Sequence, residues 1–532
     1  MTKTLEIKRV STSCLPRFER LAATVVVAVV LVVSSAGAEP NKVARAKNPV
    51  PDASPDRVWT PLGVPFKCIG SIRPRNASEI KASNWTIGCE GLDRDFDRFE
   101  KFREYIAPLG IKTIRLQAGW AKTEKAQGKY DFSWLDDIVD YACANGLNVL
   151  LETGYGNPIY EGGGGHYLGG SFPTSEVALA AWDRWVDEMS RRYKGKVRDW
   201  AMWNEPDLEM EWLPGGKRVK VERKSPASIA AFNVRTAKII RRNIPDARIA
   251  GLSLAHNDAA FLDECLKEMG EDVGLFSWII YHGYCRNPDA SYEEVERQKA
   301  VLRKYSKTCK LRQGENGCPS GWVKRSALSQ WPWSEWSQAK WDMRRMLGDL
   351  GHDVESAVFT LSGCSGGENK SLLRRAKDKS VVDIKIAYYA VQNVASVFDC
   401  ELERCTDDLS ISIDDKTIAL YEYRRRGEGG QPVYVFWEHG NLKEFDAKTN
   451  PQCPSDSFQY RPVLFKLTRT IKDPVWVDML TGKIYEFPRS NVIPDGPDGA
   501  CLCKMVPVYD SPCLLAERVA IDFVASEHTT LH

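Results

Sequence analysis

The feature that most constrains the fold is a regular alternation of short apolar runs with longer helical stretches between Phe66 and Phe398. Strands that alternate with helices form parallel sheets. Eight such units over roughly 330 residues predict a (β/α)8 barrel, a fold of about 250 to over 400 residues. The eight strand-like runs are VPFKCIGS, IKTIRLQAGW, LNVLLETGYG, VRDWAMW, ARIAGLSLA, LFSWIIYHGY, CKLRQGENG and ESAVFTLSG.

An open, doubly wound sheet is the alternative fold for this alternation. It would carry a glycine-rich phosphate-binding turn after an early strand, and the sequence has no such turn. Several helix boundaries are also visible. Ser225-Pro226 predicts a helix start, Ser291 and Glu294 predict a capping box, and a last amphipathic helix is expected from about Val381 to Phe398.

The sequence pattern changes after about Asp399. Short β-branched and aromatic runs such as TIALYEYRR, PVYVFWEHG and PVWVDMLTG are separated by Gly, Pro and Asp. That pattern predicts an all-β, sandwich-like domain. The predicted organisation is therefore a catalytic barrel at 62–399 and a β domain at 400–532, preceded by a Pro-rich lead-in at 39–61.

The N-terminus resembles a targeting segment by its physical type. A flank with two arginines precedes a continuously apolar run from Leu21 to Val33, and Ala36-Gly37-Ala38 has an A-x-A cleavage pattern. We predict a signal peptide at 1–38 that is cleaved, which gives a secreted or periplasmic protein without stable membrane association. An uncleaved anchor is the alternative, but the run is shorter than the ~20 residues that a membrane span needs.

Composition limits the partners. The formal net charge is +2 and no basic run stands out, so nucleic acid is not an expected partner. Of 15 cysteines, Cys14 leaves with the signal peptide, and export permits disulfides, expected mainly in the C-terminal part. No cysteine or histidine cluster has zinc spacing, so no metal site is predicted. The oligomeric state stays open.

The active site of such a barrel lies at the C-terminal ends of its strands. Two carboxylates, Glu205 and Glu315, close the fourth and seventh predicted strands. Cleavage of a glycosidic bond with retention needs two carboxyl groups about 5 Å apart. The polar and aromatic residues expected at these strand ends are Arg115, Gln117, Trp120, Glu152, Tyr155, Asn157, Trp203, Asn204, Glu205, His282, Tyr284, Glu315 and Asn316.

The stretch Trp203-Asn204-Glu205-Pro206-Asp207 resembles the acid/base motif of glycoside hydrolase clan A, most closely family 39, the β-xylosidase and α-L-iduronidase group. The resemblance covers the barrel layout from about 60 to 400, and a C-terminal β domain is also usual in that family. It implies a retaining glycoside hydrolase that acts on a carbohydrate and needs no cofactor. Long loops after the third and seventh predicted strands favour exo action, and the signal peptide predicts secretion. Glu205 would be the general acid/base and Glu315 the nucleophile.

The resemblance also implies roles for neighbouring residues. Asn204 would hold the 2-hydroxyl of the sugar. His282-Gly283-Tyr284 is similar to a strand-six element whose tyrosine orients the nucleophile, and Arg115 matches an arginine that keeps the nucleophile ionised. The clan often has a tryptophan at the end of strand eight, where this chain has FTLSGC.

Further candidates come from loops and strand ends. Trp120, Tyr155 and Asn157 are predicted substrate contacts, and Glu152 is expected to form a buried ion pair with Arg115. The glycine-dense loop at 157–172 is expected over the mouth of the barrel, with Tyr160, His166 and Tyr167 as possible contacts.

A tryptophan-rich segment follows the seventh predicted strand. Trp322, Trp331 or Trp333 could stack on a sugar ring, whereas Trp336 and Trp341 are expected to face the core. Two alternatives to an exo-acting enzyme remain: an endo-acting glycanase of the same clan, similar to family 5, and a catalytically inactive carbohydrate-binding barrel. The sequence leaves the sugar and its anomeric configuration undecided.

Overall fold

A computed structural model describes residues 57–213, 217–363, 369–427, 429–442, 458–496 and 499–526. The expected signal peptide and the lead-in up to residue 56 lie outside the described residues. Within the described ranges, no helix has both the length and the apolar character needed to cross a membrane. Strands and helices are numbered below in chain order.

A barrel of eight parallel strands forms the centre of the molecule, as the alternation predicts. Its closure is made where the seventh and eighth strands meet: the Gln313 amide donates to the Glu355 carbonyl at 2.9 Å, and the Phe359 amide donates to the Asn316 carbonyl at 2.7 Å. The strands in barrel order are β2 (Trp85–Gly88), β3 (Thr113–Gln117), β4 (Asn148–Thr153), β5 (Asp199–Met202), β8 (Arg248–Leu254), β9 (Trp278–Tyr281), β10 (Lys310–Gln313) and β11 (Ser356–Val358).

The first strand-like run does not enter the barrel, and this part of the strand prediction is wrong. β1 (Cys68–Ile72) pairs antiparallel with β20 (Lys483–Glu486) and β24 (Phe523–Ala525) in the sheet of the β domain. The first barrel strand is β2 instead. Both segments are short apolar runs, and β1 is placed in its sheet by β20 and β24, far along the chain, so local pattern cannot separate the two.

Helices surround the barrel. The helix predicted at Ser291 begins there, but its capping box and the predicted start of the last helix need correction. Ser291 makes no capping bond, because its hydroxyl accepts from Arg345, and the Glu294 carboxylate accepts from the Ala259 amide at 2.6 Å. The last helix begins at Ile386, not Val381. The helices are α1 (Phe99–Phe102), α2 (Trp120–Thr123), α3 (Ser133–Ala144), α4 (Glu176–Arg192), α5 (Pro226–Asn243), α6 (Ala259–Met269), α7 (Tyr292–Tyr305), α8 (Glu335–Gly351) and α9 (Ile386–Val397).

Two antiparallel sheets form the β domain, and Phe436 and Phe465 meet between them with ring centroids 4.7 Å apart. This agrees with the predicted sandwich-like architecture. The larger sheet contains β14 (Leu402–Cys405), β16 (Ile418–Arg425), β17 (Pro432–Glu438), β23 (Cys513–Glu517), β19 (Pro474–Asp478), β20, β1 and β24. The smaller one contains β15 (Ile411–Ser412), β18 (Arg461–Leu467), β22 (Cys501–Val508) and β21 (Val492–Pro494).

Two hairpins project from the barrel. β6 (Met210–Leu213) and β7 (Lys217–Lys220) follow β5, and β12 (Leu373–Arg375) and β13 (Val381–Ile384) precede α9. β13 occupies the segment where the sequence predicts the start of the last helix, and this explains the later helix start. The first hairpin lies at the mouth of the barrel and contributes to the site described below.

The cysteines of the described ranges are all free thiols, so the disulfides expected from export are not found among them. Most of these side chains are buried, and burial raises the pKa of Cys503 to about 12. Such cysteines behave as small apolar core residues. Cys364 and Cys453 lie outside the described residues.

Candidate active site

The segment after β5 turns sharply at the mouth of the barrel. Trp203 and Glu205 have φ of 47° and 49°, a left-handed conformation that costs a non-glycine residue about 1–3 kcal/mol. The Glu205 amide donates to the Ser253 carbonyl of β8 at 3.0 Å, which fixes the turn against the next strand. Strained backbone conformations of this kind persist where contacts with the surrounding structure hold them in place, and they are common at functional sites. Here it brings Asn204 and Glu205 to the surface of a cavity.

That cavity has a volume of about 680 Å³ and opens at the C-terminal ends of the barrel strands. Its wall includes six of the residues that the sequence places at the site: Gln117, Tyr155, Asn204, Glu205, Tyr284 and Glu315. They come from five different strand ends, and the barrel closes these ends into one ring. A pocket of a few hundred cubic ångström with convergent polar groups is typical of small-ligand sites.

The two carboxylates are close together, and His282 lies between them. A carboxylate oxygen of Glu205, a ring nitrogen of His282 and a carboxylate oxygen of Glu315 all lie within 4.8 Å of one another. The Nδ1 atom of His282 is 2.8 Å from Glu205 Oε1 and 3.8 Å from Glu315 Oε2. Burial lowers the pKa of His282, but the Glu315 charge and the hydrogen bond with Glu205 outweigh it and raise the pKa.

Glu315 is held as an anion by its neighbours. Arg115 Nη1 donates to Glu315 Oε2 at 2.7 Å, and the Tyr284 hydroxyl donates to Oε1 at 3.0 Å. Burial alone would raise the pKa of this carboxyl. The charges of His282 and Arg115, with the hydrogen bonds from Arg115 and Tyr284, lower the pKa of Glu315 below its ordinary value. An ionised carboxylate facing a cavity has the state that a nucleophile requires.

Arg115 is fully buried below the cavity and organises the polar groups around it. Its Nη2 donates to Glu152 Oε2 at 2.7 Å, and the predicted ion pair with Glu152 is confirmed. The same nitrogen donates to Asn204 Oδ1 at 2.5 Å, while Asn204 Nδ2 donates to the Tyr155 hydroxyl at 3.0 Å. Arg115 therefore lies beneath the site and orients Glu315 and Asn204, instead of lining the cavity itself.

Sequence reasoning missed Glu90 and Arg94, which line the cavity from the segment after β2. Glu90 Oε1 accepts from Arg115 Nη1 at 3.0 Å. The signal was present, since an apolar strand-like run ends in an acid at WTIGCE. If the earlier run is taken as the first barrel strand, this acid falls in a connecting segment and is not predicted at the mouth of the barrel.

Sequence reasoning also missed an aromatic wall and the hairpin of β6 and β7. Phe359, which follows the eighth barrel strand β11, lines the cavity. Met210 and Trp212 line it from the hairpin, and Leu168 lines it from the glycine-dense loop. The Trp212 amide donates to the Leu168 carbonyl at 2.9 Å, so the hairpin and the loop form one continuous wall.

Three predicted contacts do not reach this cavity. Trp120 is fully buried and packs against Tyr160, Trp182 and Trp185, with its Nε1 donating to Glu124 Oε2 at 2.5 Å. The buried amide of Asn157 donates to the Glu124 carbonyl at 2.8 Å and anchors the loop. The Trp322 side chain is 63% exposed and is not part of the cavity wall.

The remaining aromatic residues that the sequence suggests as sugar contacts are either buried in the core or line a second cavity. Trp333 and Trp341 are buried in a small cluster with Cys318, as expected for Trp341 and contrary to a stacking role for Trp333. His166 and Tyr167 line a second cavity of about 360 Å³. This cavity shares Arg94 and Tyr155 with the first, so the two adjoin.

Comparisons with known proteins agree with this geometry. A family model for β-galactosidase, glycoside hydrolase family 42, matches residues 94–159. β-Galactosidase BgaA of Clostridium cellulovorans is 32% identical over 81 residues, which is 14% of this chain and 12% of that protein. The match thus covers only a small part of the relative's length.

Solved structures match over most of the chain. A family 39 glycoside hydrolase from Bacteroides cellulosilyticus WH2 aligns with a TM-score of 0.57 and 16% identity, covering 84% of this chain and 83% of that one. A β-xylosidase from Caulobacter crescentus CB15 aligns with a TM-score of 0.53 and 15% identity, covering 84% and 97%. The chain has the fold of glycoside hydrolase clan A, and its relatives are enzymes that hydrolyse O-glycosidic bonds.

Proposed function

We propose that this protein is a retaining glycoside hydrolase. The observation that carries the proposal is the approach of Glu205 and Glu315 oxygens within 4.8 Å across one cavity. Carboxyl groups about 5–5.5 Å apart belong to the retaining mechanism, whereas inverting enzymes separate them by about 6.5–9.5 Å to admit a water molecule. The short separation therefore favours double displacement over direct attack by water.

In the first step, Glu315 attacks the anomeric carbon while Glu205 gives its proton to the departing oxygen. Arg115 and Tyr284 hold the two oxygens of Glu315 in place, at 2.7 and 3.0 Å. Asn204, fixed between Arg115 and Tyr155, is positioned to hold the 2-hydroxyl of the sugar. The bond from carbon to the leaving group breaks, and an ester to Glu315 forms.

In the second step, the Glu205 carboxylate takes a proton from water, and the resulting hydroxide displaces Glu315 from the anomeric carbon. His282 contacts Glu205 Oε1 at 2.8 Å and keeps that oxygen in a fixed orientation. Glu315 returns as an anion next to Arg115. Configuration at the anomeric carbon is retained because it has been inverted twice.

Exo action is proposed because the β6 and β7 hairpin and the glycine-dense loop wall the cavity together through the Trp212 amide and the Leu168 carbonyl. Endo action is the second candidate, and the adjoining cavity of about 360 Å³ favours it, since it could hold a further sugar. Digestion of an oligosaccharide series distinguishes them. Release of single terminal sugars supports exo action, and internal cleavage supports endo action.

The first test uses Glu205→Ala and Glu315→Ala on aryl glycosides. Because the similar proteins include a β-galactosidase and a β-xylosidase, aryl β-D-galactosides and β-D-xylosides are tested first. We expect Glu205→Ala to lose at least ~100-fold in kcat/KM on poor leaving groups, with azide restoring turnover on activated ones. Glu315→Ala should be inactive, and NMR of the wild-type product should show retained configuration.

The matched control is Glu264→Ala, an exposed glutamate of α6 on the outside of the barrel, which should keep full activity. Full activity of Glu315→Ala, or a product of inverted configuration, would contradict the retaining mechanism. Binding of sugars by a wild-type protein that hydrolyses none of the glycosides would support the inactive carbohydrate-binding barrel instead.

We also propose that the protein is exported. The apolar run from Leu21 to Val33 and the A-x-A pattern at Ala36–Ala38 support this. Expression of the whole chain with its native N-terminus, followed by N-terminal sequencing of the exported material, should give a mature chain that starts at Glu39. Material that retains Leu21–Val33 in the membrane fraction would indicate the uncleaved anchor.

A further inference from the structure

We propose that Glu90 is a proton-holding positioning residue of the reaction. It carries a proton while Glu315 is an anion, and it releases this proton to solvent when Glu315 becomes an ester. It then replaces Glu315 as the anionic partner of Arg115. The inference rests on the proposed retaining function, because it requires a glycosyl ester at Glu315.

The geometry that carries the inference is a shared donor. Arg115 Nη1 donates to Glu90 Oε1 at 3.0 Å and to Glu315 Oε2 at 2.7 Å, so two carboxyl groups meet at one guanidinium nitrogen. Both residues are buried or nearly so. Two carboxyl groups that share a site this closely do not both ionise readily, and one of them holds a proton.

The surroundings decide which carboxyl holds the proton. Glu315 has a second donor in Tyr284 and the charge of His282 beside it. Glu90 Oε2 receives a longer hydrogen bond, from the Thr360 hydroxyl at 3.3 Å. Burial raises the pKa of Glu90 to about 7; the Arg115 charge opposes this effect, and the Glu315 charge adds to it. The proton therefore belongs to Glu90, and Glu315 stays ionised for attack.

The chain also makes room for the Glu90 carboxyl. A Cβ atom at Gly88 would lie 2.2 Å from Glu90 Oε2, so any larger residue at position 88 would displace the carboxyl. The charged and titratable groups that face Glu90 are Arg115 on β3, Glu152 on β4 and Glu315 after β10, with Cys89 beside it on its own segment.

Charge balance gives the consequence. In the free enzyme, the anions Glu152 and Glu315 surround Arg115, and Glu90 is neutral. Esterification removes the negative charge of Glu315. Loss of the Glu90 proton places a new negative charge on Glu90, so the net charge beside Arg115 is unchanged. The O–H bond of Glu90 breaks, and the proton leaves through the cavity that Glu90 lines. Hydrolysis of the ester regenerates the Glu315 anion, and Glu90 takes a proton back from water.

The experiment counts protons while the ester is trapped. Glu205→Ala is labelled with 2,4-dinitrophenyl 2-deoxy-2-fluoro-β-D-xyloside or the corresponding galactoside, because dinitrophenolate leaves without an acid and Glu205 itself then contributes no proton. An indicator dye in weakly buffered solution at about pH 6, below the Glu90 pKa of about 7, reports the release. Mass spectrometry measures the label on Glu315.

The comparison is between Glu205→Ala and the double variant Glu205→Ala/Glu90→Gln. Glutamine has the shape of the protonated acid and can still accept from Arg115. We expect proton release per labelled chain to fall by about one in the double variant. The matched control is Glu205→Ala/Glu264→Gln, which changes an exposed glutamate of α6 outside the site and should keep the release. Equal release with and without Glu90, or equal losses on changing Glu90 and Glu264, would overturn the inference.

A second measurement holds even if the Glu90 variant does not fold. Infrared difference spectra of Glu205→Ala, labelled minus unlabelled, should show loss of the carbonyl band of a protonated carboxylic acid. A spectrum without that loss would overturn the inference. Absence of any label on Glu315 would instead contradict the proposed retaining function, so the two failures are distinguishable.

Discussion

The hydroxyl of Tyr284 donates to Glu315 Oε1 at 3.0 Å and is one of the groups that lower the pKa of Glu315 against the effect of burial. Tyr284→Phe removes this donor and leaves the ring. A hydrogen bond to a charged group contributes about 1.5–3 kcal/mol, so kcat/KM should fall about 10- to 100-fold. The measurement is kcat/KM on an aryl glycoside as a function of pH.

The direction of the pH shift follows from the state that reacts. Glu315 must be ionised to attack, and loss of a donor to its carboxylate raises its pKa. The acidic limb of the kcat/KM profile should therefore move to higher pH in Tyr284→Phe. Tyr281→Phe is the matched control. Tyr281 ends β9, three residues before Tyr284, and its hydroxyl contacts Arg345 at 3.5 Å, outside the site. An acidic limb that moves equally in both variants would contradict this role.

At the scale of single residues, the sequence predicts which backbone positions lie at the mouth of the barrel. It does not predict which way each side chain points. Glu205 and Glu315 could be predicted because a barrel brings strand ends together. Trp120 was predicted beside them, yet it opens α2 and its ring turns toward Trp182 and Trp185. A strand end fixes where the backbone lies, whereas packing against helices decides which way a large ring points.

At the scale of elements, the wall of the cavity depends on contact between a loop and a hairpin. Gly169 has φ of 77°, and a Cβ atom there would lie 1.8 Å from the Met210 carbonyl of β6. Gly169→Ala should push the loop away from the hairpin and disturb Leu168, Met210 and Trp212 at the cavity. We expect a higher KM and about a 10-fold lower kcat/KM, as small displacements near a site often cause.

Gly195→Ala is the control for Gly169→Ala. It carries the energetic cost of a positive φ in alanine without a steric clash. Gly195 has φ of 82°, and no atom within 4 Å would meet its Cβ. Both substitutions therefore carry a similar conformational penalty, on the order of 1 kcal/mol, and only Gly169→Ala meets a backbone oxygen. Equal kcat/KM in the two variants would show that the loop and hairpin do not shape the substrate site.

Helices and strands can be predicted from sequence where the hydrophobic pattern is long or where a clear capping residue marks the end of the element. α5 starts at Pro226 with Ser225 accepting from the Ser228 amide, as Ser-Pro indicates. β1 and β2 could not be assigned correctly, because each is a short apolar run. β1 joins the remote strands β20 and β24, whereas β2 pairs with the nearby β3. Because β2 is not predicted as a barrel strand, Glu90, which follows it, is not predicted at the site. An error in one element thus becomes an error in the site.

At the scale of the whole molecule, the barrel and the β domain are joined at both ends of the barrel sequence. β1 precedes the barrel but lies between β20 and β24 in the sheet of the β domain. After the barrel, Asn393 of α9 donates to the Met479 carbonyl of the β domain at 2.9 Å. The barrel is thus tied to the β domain before its first strand and after its last helix.

A buried ion pair adds to this junction. Lys340 of α8 lies 2.5 Å from Asp510 of the β domain, and both side chains are almost fully buried. Lys340→Met removes the positive partner and leaves a buried carboxylate next to an apolar chain. Breaking a buried pair in this way costs about 3–5 kcal/mol. We expect urea denaturation of Lys340→Met to show a loss of about 3 kcal/mol in the free energy of unfolding.

Lys238→Met provides the comparison, because Lys238 and Asp272 form a similar pair at 2.8 Å on the surface, where both side chains are well exposed. An exposed pair contributes about 0–1 kcal/mol, so this variant should lose little. If the cost at Lys340 comes from an uncompensated charge, then Lys340→Met/Asp510→Leu should recover most of the lost stability, since apolar replacement of a buried pair is often neutral. A double variant as unstable as Lys340→Met would instead assign the cost to packing between α8 and the β domain.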